Sequence, residues 1–430
     1  MFDVFKNAWK IEDLRKKLMY TVLILVVYRI GVATPVPFLT ATALSNMVGS
    51  SGNLLGYIDM LTGGAFSRAT LFALSVTPYI QSSIIINLLQ VAIPALERLG
   101  KEGADGQRKL QRITRYATLA LSVALSIAYY YLLQRNSALI YTEGWEKWFS
   151  ALVIIMCFTA GSMLIMWLGE QIDAKGIGNG ISLLIFAGIV ARLPTSIGQL
   201  YQAWQLAGSG YTSYYFAIPL LVVVTLLSVV FIIIMTSGER RIPVQYAKKV
   251  VGRKMYGGQS SHIPIKVNMS GVMPVIFAGS LIAIPGTIKS MLSLETGFWS
   301  TVLGIFEYNR WGYAIIYTLL IVGFNYFYVS IQYNPMDIAN NLRKNNGTIP
   351  GIRPGRPTQE FIKRSINKIT LVGAIFLGVV ALVPIVIGNL TGLNAQMSGT
   401  SLIILVGVAL DTMRSLESYM LMRHHKGFLE

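Results

Sequence analysis

The residues best suited to chemistry are few and scattered in this chain. Its histidines, His262, His424 and His425, have no cysteine, aspartate or glutamate near them at the spacing of metal ligands. The single cysteine, Cys157, lies in an apolar stretch and cannot form an internal disulfide. The sequence contains neither a G-x-x-x-x-G-K-[ST] loop nor a G-x-S-x-G elbow. These features predict a protein that is not an enzyme and that uses no metal or cofactor.

Ionisable residues inside the apolar stretches are also scarce. They are Arg29, Glu170 and the pair Asp411 and Arg414, whose i, i+3 spacing would allow a salt bridge on one helix. A transporter that couples a solute to an ion needs charges or broken-helix dipoles near the membrane midplane. The sequence therefore favours an apolar pathway, and a secondary transporter and a structural scaffold stay open as alternatives. Saturable solute uptake driven by an ion gradient would favour the transporter.

Ten apolar stretches position these side chains. Each has about twenty residues, the length with which a helix crosses roughly 30 Å of hydrocarbon at 1.5 Å per residue. Hydrophobic residues make up 53% of the chain and charged residues 13%. Long apolar runs without alternation indicate helices, so the predicted fold class is all-α integral membrane. The stretches are 19–37, 71–93, 113–134, 150–170, 179–196, 215–236, 271–291, 312–333, 368–389 and 400–420.

The basic residues indicate how these spans are oriented. The net charge is +17, and 28 of the 36 Lys and Arg lie in or beside one alternate set of connections. Only five lie on the other side. The positive-inside rule therefore predicts that both termini are cytoplasmic. Two cytoplasmic loops, 237–270 and 334–367, are far longer than typical helix connections, which suggests a basic docking surface.

The ten spans divide into two sets of five, and an odd number per half predicts that the halves are inverted. The second and seventh spans share a V-x-P-x-I pattern at Val76–Ile80 and Val272–Ile276. The prolines at the starts of these spans suit either a kink or a cavity. The predicted organisation is an N-terminal segment, two halves and a tail, at 1–18, 19–200, 201–420 and 421–430.

A glycine-broken segment, 56–68, precedes the second span. It is too short to cross the membrane but apolar enough to be buried, which is typical of a re-entrant segment.

Several motifs along the whole chain resemble the SecY family. They are GGAFSR from Gly63, PYIQSSIII from Pro78, MWLGEQ from Met166, GIGNGIS from Gly176, RRIP from Arg240 and PGIRPG from Pro350. The resemblance implies a clam shell of ten transmembrane helices in two inverted five-helix halves. These halves enclose an hourglass pore with a plug, and a lateral gate opens beside the second and seventh helices. The implied function is a protein-conducting channel that translocates unfolded polypeptides and releases transmembrane segments into lipid.

The same resemblance assigns residues to these parts. The pore ring is Ile80, Ile84, Ile185, Ile276 and Ile404, with Val76 in a neighbouring turn. The plug contains Tyr57, Ile58, Leu61, Gly63, Gly64, Phe66 and Arg68. The lateral gate includes Pro78, Ser82, Pro274 and Ile276.

The resemblance also implies partners and a location. Arg240, Arg241, Lys248, Lys249 and Arg353 would form the surface where the ribosome or the motor ATPase SecA docks. The energy would then come from outside this chain. The further implied partners are the SecE and SecG subunits, signal sequences, nascent chains and membrane lipid. The implied location is the bacterial cytoplasmic membrane.

Overall fold

A computed structural model describes residues 6, 8–40, 59, 62–208, 214–246, 249–251, 254–256, 260–292, 298–306, 311–391 and 399–424. These residues form mainly helices, with five short strands. The helices are α1 (Glu12–Ala33), α2 (Thr77–Ala92), α3 (Pro94–Lys101), α4 (Ala104–Arg135), α5 (Gly144–Lys175), α6 (Gly180–Ala207), α7 (Tyr214–Ser237), α8 (Met273–Leu292), α9 (Phe298–Gly304), α10 (Trp311–Gln332), α11 (Pro335–Lys344), α12 (Arg356–Thr391) and α13 (Gly399–His424). The strands are β1 (Glu239–Tyr246), β2 (Lys249–Val251), β3 (Lys254–Tyr256), β4 (Ser260–Lys266) and β5 (Gly347–Thr348).

Each of the ten predicted spans falls on one helix, in the order α1, α2, α4, α5, α6, α7, α8, α10, α12 and α13. Within the described residues, seven helices are long and apolar enough to cross a membrane, and α2 with α3 makes an eighth, bent candidate. α1 differs because Lys16, Lys17 and Arg29 lie along it. In α8 the apolar stretch Met273–Pro285 is shorter than a full span. The chain is a multi-pass helical membrane protein.

Several helix ends differ from the predicted span ends. α12 begins at Arg356, well before the apolar run at 368, because its first turns bury Ile362 and Ile366 in a separate hydrophobic cluster. α2 begins at Thr77 instead of 71, because residues 62–76 form a chain of turns. It ends at Ala92, because Pro94 cannot continue the helix and Ile93 before it is extended. The chain bends there by 102° into α3.

The two halves repeat the same packing. Each half contains five of the ten spanning helices. The first half has α1, α2, α4, α5 and α6, and the second half has α7, α8, α10, α12 and α13. In each half the second helix packs on the third, the third on the fourth and the fourth on the fifth. The first helix of each half packs on its fourth and fifth helices. The five-plus-five division predicted from the sequence is therefore present in the fold.

The halves meet along a shared apolar core. α2 packs on α8 across the boundary, and α6 packs on α7 and α13. The largest hydrophobic cluster takes buried residues from both halves, so we call it the central cluster; it includes Tyr28, Ile189, Tyr317, Phe376 and Ile403. A second cluster lies within the first half and includes Leu133, Ile154 and Phe158.

The two long loops, which follow α7 and α10, fold together. β1 lies between β4 and β5 in an antiparallel sheet, with Gln245 opposite Thr348. Ile242 and Val244 of β1 are buried in a third cluster with Leu342 of α11 and Ile366 of α12. The sequence analysis missed this sheet. Its signal was the alternation of apolar residues at 242 and 244 and again at 263 and 265.

Candidate functional site

The two V-x-P-x-I segments begin their helices in the same way. The amide of Ile80 donates to the carbonyl of Val76 at 3.0 Å, and the amide of Ile276 donates to that of Val272 at 3.3 Å. Pro78 and Pro274 each lie in the first turn, where a missing amide hydrogen costs no helical hydrogen bond. The prolines therefore start helices and do not kink them. Val76 and Val272 are both buried in the central cluster.

The residues predicted for the pore ring lie mainly in that cluster. Ile185 of α6, Ile276 of α8 and Ile404 of α13 are buried members of it. Ile80 of α2 is partly buried and packs against it. Ile84 is buried but belongs to none of the described clusters. The structure thus brings four of the five predicted isoleucines to one apolar region where the halves meet.

Helices α2 and α8, which the resemblance names as the lateral gate, are in contact. Ser82 lies one helical turn beyond Pro78 and is fully buried. Its hydroxyl donates to the carbonyl of Pro78 at 2.8 Å, so its polar group is satisfied within its own helix.

The segment predicted to be a plug is partly described, at residues 59 and 62–68. Gly63 and Gly64 have φ angles of +67° and +90°, which only glycine adopts without strain. Gly64 and Phe66 are buried and Arg68 is exposed. Residues 62–68 form turns, and most of them are buried inside the protein. The predicted plug residues Tyr57, Ile58 and Leu61 lie outside the described residues.

An ion pair joins this segment to α6. The carboxylate of Asp59 contacts the guanidinium of Arg192, and Asp59 is only 2% exposed. The sequence analysis did not find this pair, because its two members are far apart in the chain. On the other side of the segment, Phe66 stacks on Tyr129 of α4 with a ring separation of 4.7 Å. The hydroxyl of Tyr129 donates to the carbonyl of Phe66.

The described docking residues lie on the folded unit that the two long loops form. Arg240 and Arg241 are exposed at the start of β1, and Arg241 pairs with Glu239 at 2.6 Å. Lys249 begins β2, and Lys248 lies outside the described residues. Arg353 is exposed in the turn after β5, and its carbonyl accepts the hydroxyl hydrogen of Thr358 at 2.8 Å. Because β1 pairs with β5, the two loops belong to one folded unit.

The remaining ionisable residues are used in structural contacts. Glu170 pairs with Arg115 of α4 at 2.8 Å. The salt bridge suggested for Asp411 and Arg414 does not form, because Arg414 instead donates to the carbonyl of Thr236 at 2.9 Å, where α7 ends. Within the described part of the chain, no three His, Cys, Asp or Glu side chains lie close enough together to hold a metal ion.

Comparison with known proteins agrees with this architecture. The family model described as SecY matches residues 70–413. The protein translocase subunit SecY of Thermotoga maritima is 40% identical, with 100% of this chain and 98% of that protein covered.

Two solved structures share the fold. A structure described as that of a protein conducting channel has a TM-score of 0.62 at 18% identity and covers 94% of this chain and 92% of its own. Sec61 in the canine ribosome-channel complex from the endoplasmic reticulum has a TM-score of 0.57 at 16% identity, with 94% and 92% covered. The full-length match at 40% identity decides the assignment. The chain therefore belongs to the SecY family of protein translocase subunits.

Proposed function

We propose how this protein translocation channel moves its substrate. An unfolded chain or signal sequence parts α2 from α8, displaces the plug segment 56–68 and enters the apolar region between the halves. It then either passes through the isoleucine ring or leaves sideways into lipid. The observation that carries this proposal is the gathering of Ile80, Ile185, Ile276 and Ile404 in or against one cluster at the boundary of the halves.

The isoleucines form the seal in this proposal. Their side chains are apolar and β-branched, and where they converge on a narrow point water and ions enter at a high free-energy cost. The apolar ring offers a passing polypeptide no fixed hydrogen bonds, so it can separate and close again without preferring a sequence. Ile84 lies one turn from Ile80 on α2 and would line the pore beside the ring.

The lateral exit sorts segments by hydrophobicity. About twenty apolar residues favour lipid, whereas a charged residue at the centre of a helix costs roughly 2.5–3.5 kcal/mol on insertion scales. The boundary between α2 and α8, with Pro78, Ser82, Pro274 and Ile276, is the exit route that we assign. The contact between α2 and α8 across the boundary of the halves supports this choice.

The folded cytoplasmic unit is the docking surface that we assign. Arg240, Arg241, Lys248, Lys249 and Arg353 supply positive charge on its two loops, and a polyanionic ribosomal RNA or an acidic face of SecA would complement that charge. The pairing of β1 with β5 supports a shared surface, because it ties the loop of Arg240 to that of Arg353. The ribosome or SecA then supplies the energy for movement.

We also assign the membrane in which the protein resides and the surface that meets lipid or further subunits. The positive-inside charge distribution supports a bacterial cytoplasmic membrane protein with both termini in the cytoplasm. Leu226, Leu227 and Ile234 of α7 are each more than 60% exposed, which supports contact with lipid or with the partner subunits SecE and SecG.

Reconstitution tests the proposed function. The purified chain with SecE and SecG is placed in liposomes with SecA, ATP and a secretory preprotein, and protected preprotein is measured after protease digestion. We expect protection that depends on both ATP and this chain. Preprotein that stays fully digestible, together with gradient-driven uptake of a small solute, would support a secondary transporter instead.

A further inference from the structure

Asp59 is the only charged residue that is fully buried among the residues that the structure describes. Its partner Arg192 lies on α6, and the side chain of that arginine is 18% exposed. A carboxylate that lost this partner would stay in a dry site without a counter-charge, which is strongly unfavourable. The position of the plug segment is therefore coupled to the guanidinium of Arg192 on a neighbouring helix.

The two carboxylate oxygens of Asp59 contact different partners. Oδ1 accepts the amide hydrogen of Ser67 at 2.7 Å. The backbone carbonyl of Asp59 accepts from the amide of Gly64 at 2.9 Å and from the hydroxyl of Thr62 at 3.0 Å. These bonds hold Asp59 against residues 62–67, which form turns. Oδ2 faces Arg192 and ties that turn to α6.

The turn lies on the same face of α6 as the ring residue Ile185. Gly188 and Arg192 follow Ile185 at spacings of three and seven, which place all three residues on one side of a helix. A β-carbon on Gly63 would lie 3.0 Å from the Cα of Gly188, and one on Gly64 would lie 3.2 Å from Nε of Arg192. Seven residues correspond to about 10 Å along a helix. The ion pair thus fixes the turn about 10 Å beyond the ring.

From this arrangement we propose that Asp59 and Arg192 form a latch that holds the plug in the closed channel and releases it when water enters the external funnel. The inference rests on the proposed function, because it assigns a gating role to the proposed plug. In the dry, closed state the two charges attract strongly across a medium of low dielectric constant. Once the funnel is wet, water hydrates each charge separately, so the attraction weakens as the plug leaves.

Substitutions at Asp59 and Arg192 remove the negative and the positive charge of the ion pair separately. Asp59→Asn keeps an oxygen that can accept from the amide of Ser67 and removes only the negative charge. Arg192→Gln removes the positive charge, and Arg192→Lys keeps it. Arg115→Gln is the matched control, since it breaks a different ion pair, with Glu170, away from the plug.

Thiol labelling measures plug release without relying on transport. In a Cys157→Ser background, Ser67→Cys places the only thiol in the buried turn, where Ser67 is 8% exposed. A membrane-impermeant maleimide is added to proteoliposomes that contain the channel. We expect Asp59→Asn and Arg192→Gln each to label about tenfold faster than the parent, consistent with the loss of a buried pair. Arg115→Gln and Arg192→Lys should label near the parent rate.

The double variant Asp59→Asn with Arg192→Gln tests whether the two residues act together. If the two residues act as one latch, the double variant labels no faster than the faster single variant. Labelling of both single variants at the parent rate, or strictly additive effects, would overturn the latch. Failure of the parent channel to translocate a preprotein would instead contradict the proposed function and would leave the labelling result unaffected.

Discussion

The carbonyl oxygen of Leu71 lies directly against the backbone of Gly161. A β-carbon at position 161 would come within 2.0 Å of that oxygen. The turns between α1 and α2 cross α5 at this point, so α5 needs a residue without a side chain there. The contact sets the position of the segment that leads from the proposed plug into α2.

Gly161→Ala should therefore destabilise the protein. Overpacking of a core typically costs 1–3 kcal/mol, and the cost here should lie at the upper end because the opposing atom belongs to the backbone. The measurement is the midpoint of thermal unfolding of the purified protein in detergent. Gly323→Ala in α10 is the control, since a β-carbon added at position 323 would meet no heavy atom within 4 Å outside the backbone of its own helix. It should be neutral or slightly stabilising. Equal midpoints for the two variants would contradict this packing.

Ile80→Asn combined with Ile404→Asn should increase ion leak through the resting channel, because polar groups wet an apolar constriction. Conductance across planar bilayers measures the leak. The control is Ile80→Leu with Ile404→Leu, which keeps apolar side chains of the same size and should leave conductance low. If the asparagine pair conducts no more than the leucine pair, these positions do not form the seal.

A disulfide between α2 and α8 should block secretion, because the proposed exit requires these helices to separate. One cysteine is placed on each helix in a Cys157→Ser background, and pairs that oxidise efficiently are kept. Preprotein translocation is then compared before and after reduction. We expect transport to stop on oxidation and to return on reduction. Full transport by the oxidised channel would remove the boundary of α2 and α8 from the pathway.

Arg353→Glu should impair SecA-driven transport by at least about tenfold, since it reverses a charge on the proposed docking surface. Its exposed position in a turn predicts normal folding and insertion. ATP-dependent translocation and the binding of SecA to membranes are the measurements. Lys147→Glu, on the side predicted to be external, reverses the same charge away from that surface and should have little effect. Equal transport by the two variants would exclude Arg353 from docking.

Much of the fold could be predicted from the sequence because lipid imposes a length on every span. The order of ten helices followed from apolar runs such as 215–236, which corresponds closely to Tyr214–Ser237. Helix ends were harder to predict, since α12 begins at Arg356, twelve residues before the apolar run, where no change in hydrophobicity marks its start. The sheet of β1, β4 and β5 was missed because β1 and β4 contain Pro243 and Pro264 and β5 has only two residues.

The site was only partly predictable. Ile185, Ile276 and Ile404 resemble ordinary packing residues on any one helix, and only the family resemblance brought them together. Asp59 and Arg192 gave no local signal, because an ion pair between distant segments has no spacing that sequence reasoning can use. The V-x-P-x-I repeat was informative, since both copies begin a helix with the same hydrogen bond.

The most direct test of the central claim is to locate a polypeptide during transport. A preprotein with a photoreactive residue in its mature part is stalled halfway by a folded domain at its carboxyl end, and irradiation is followed by mapping of the adducts. The account predicts adducts at Ile80, Ile185, Ile276 and Ile404, within the central cluster. Adducts confined to lipid-facing residues such as Leu226 and Leu227 of α7 would contradict it.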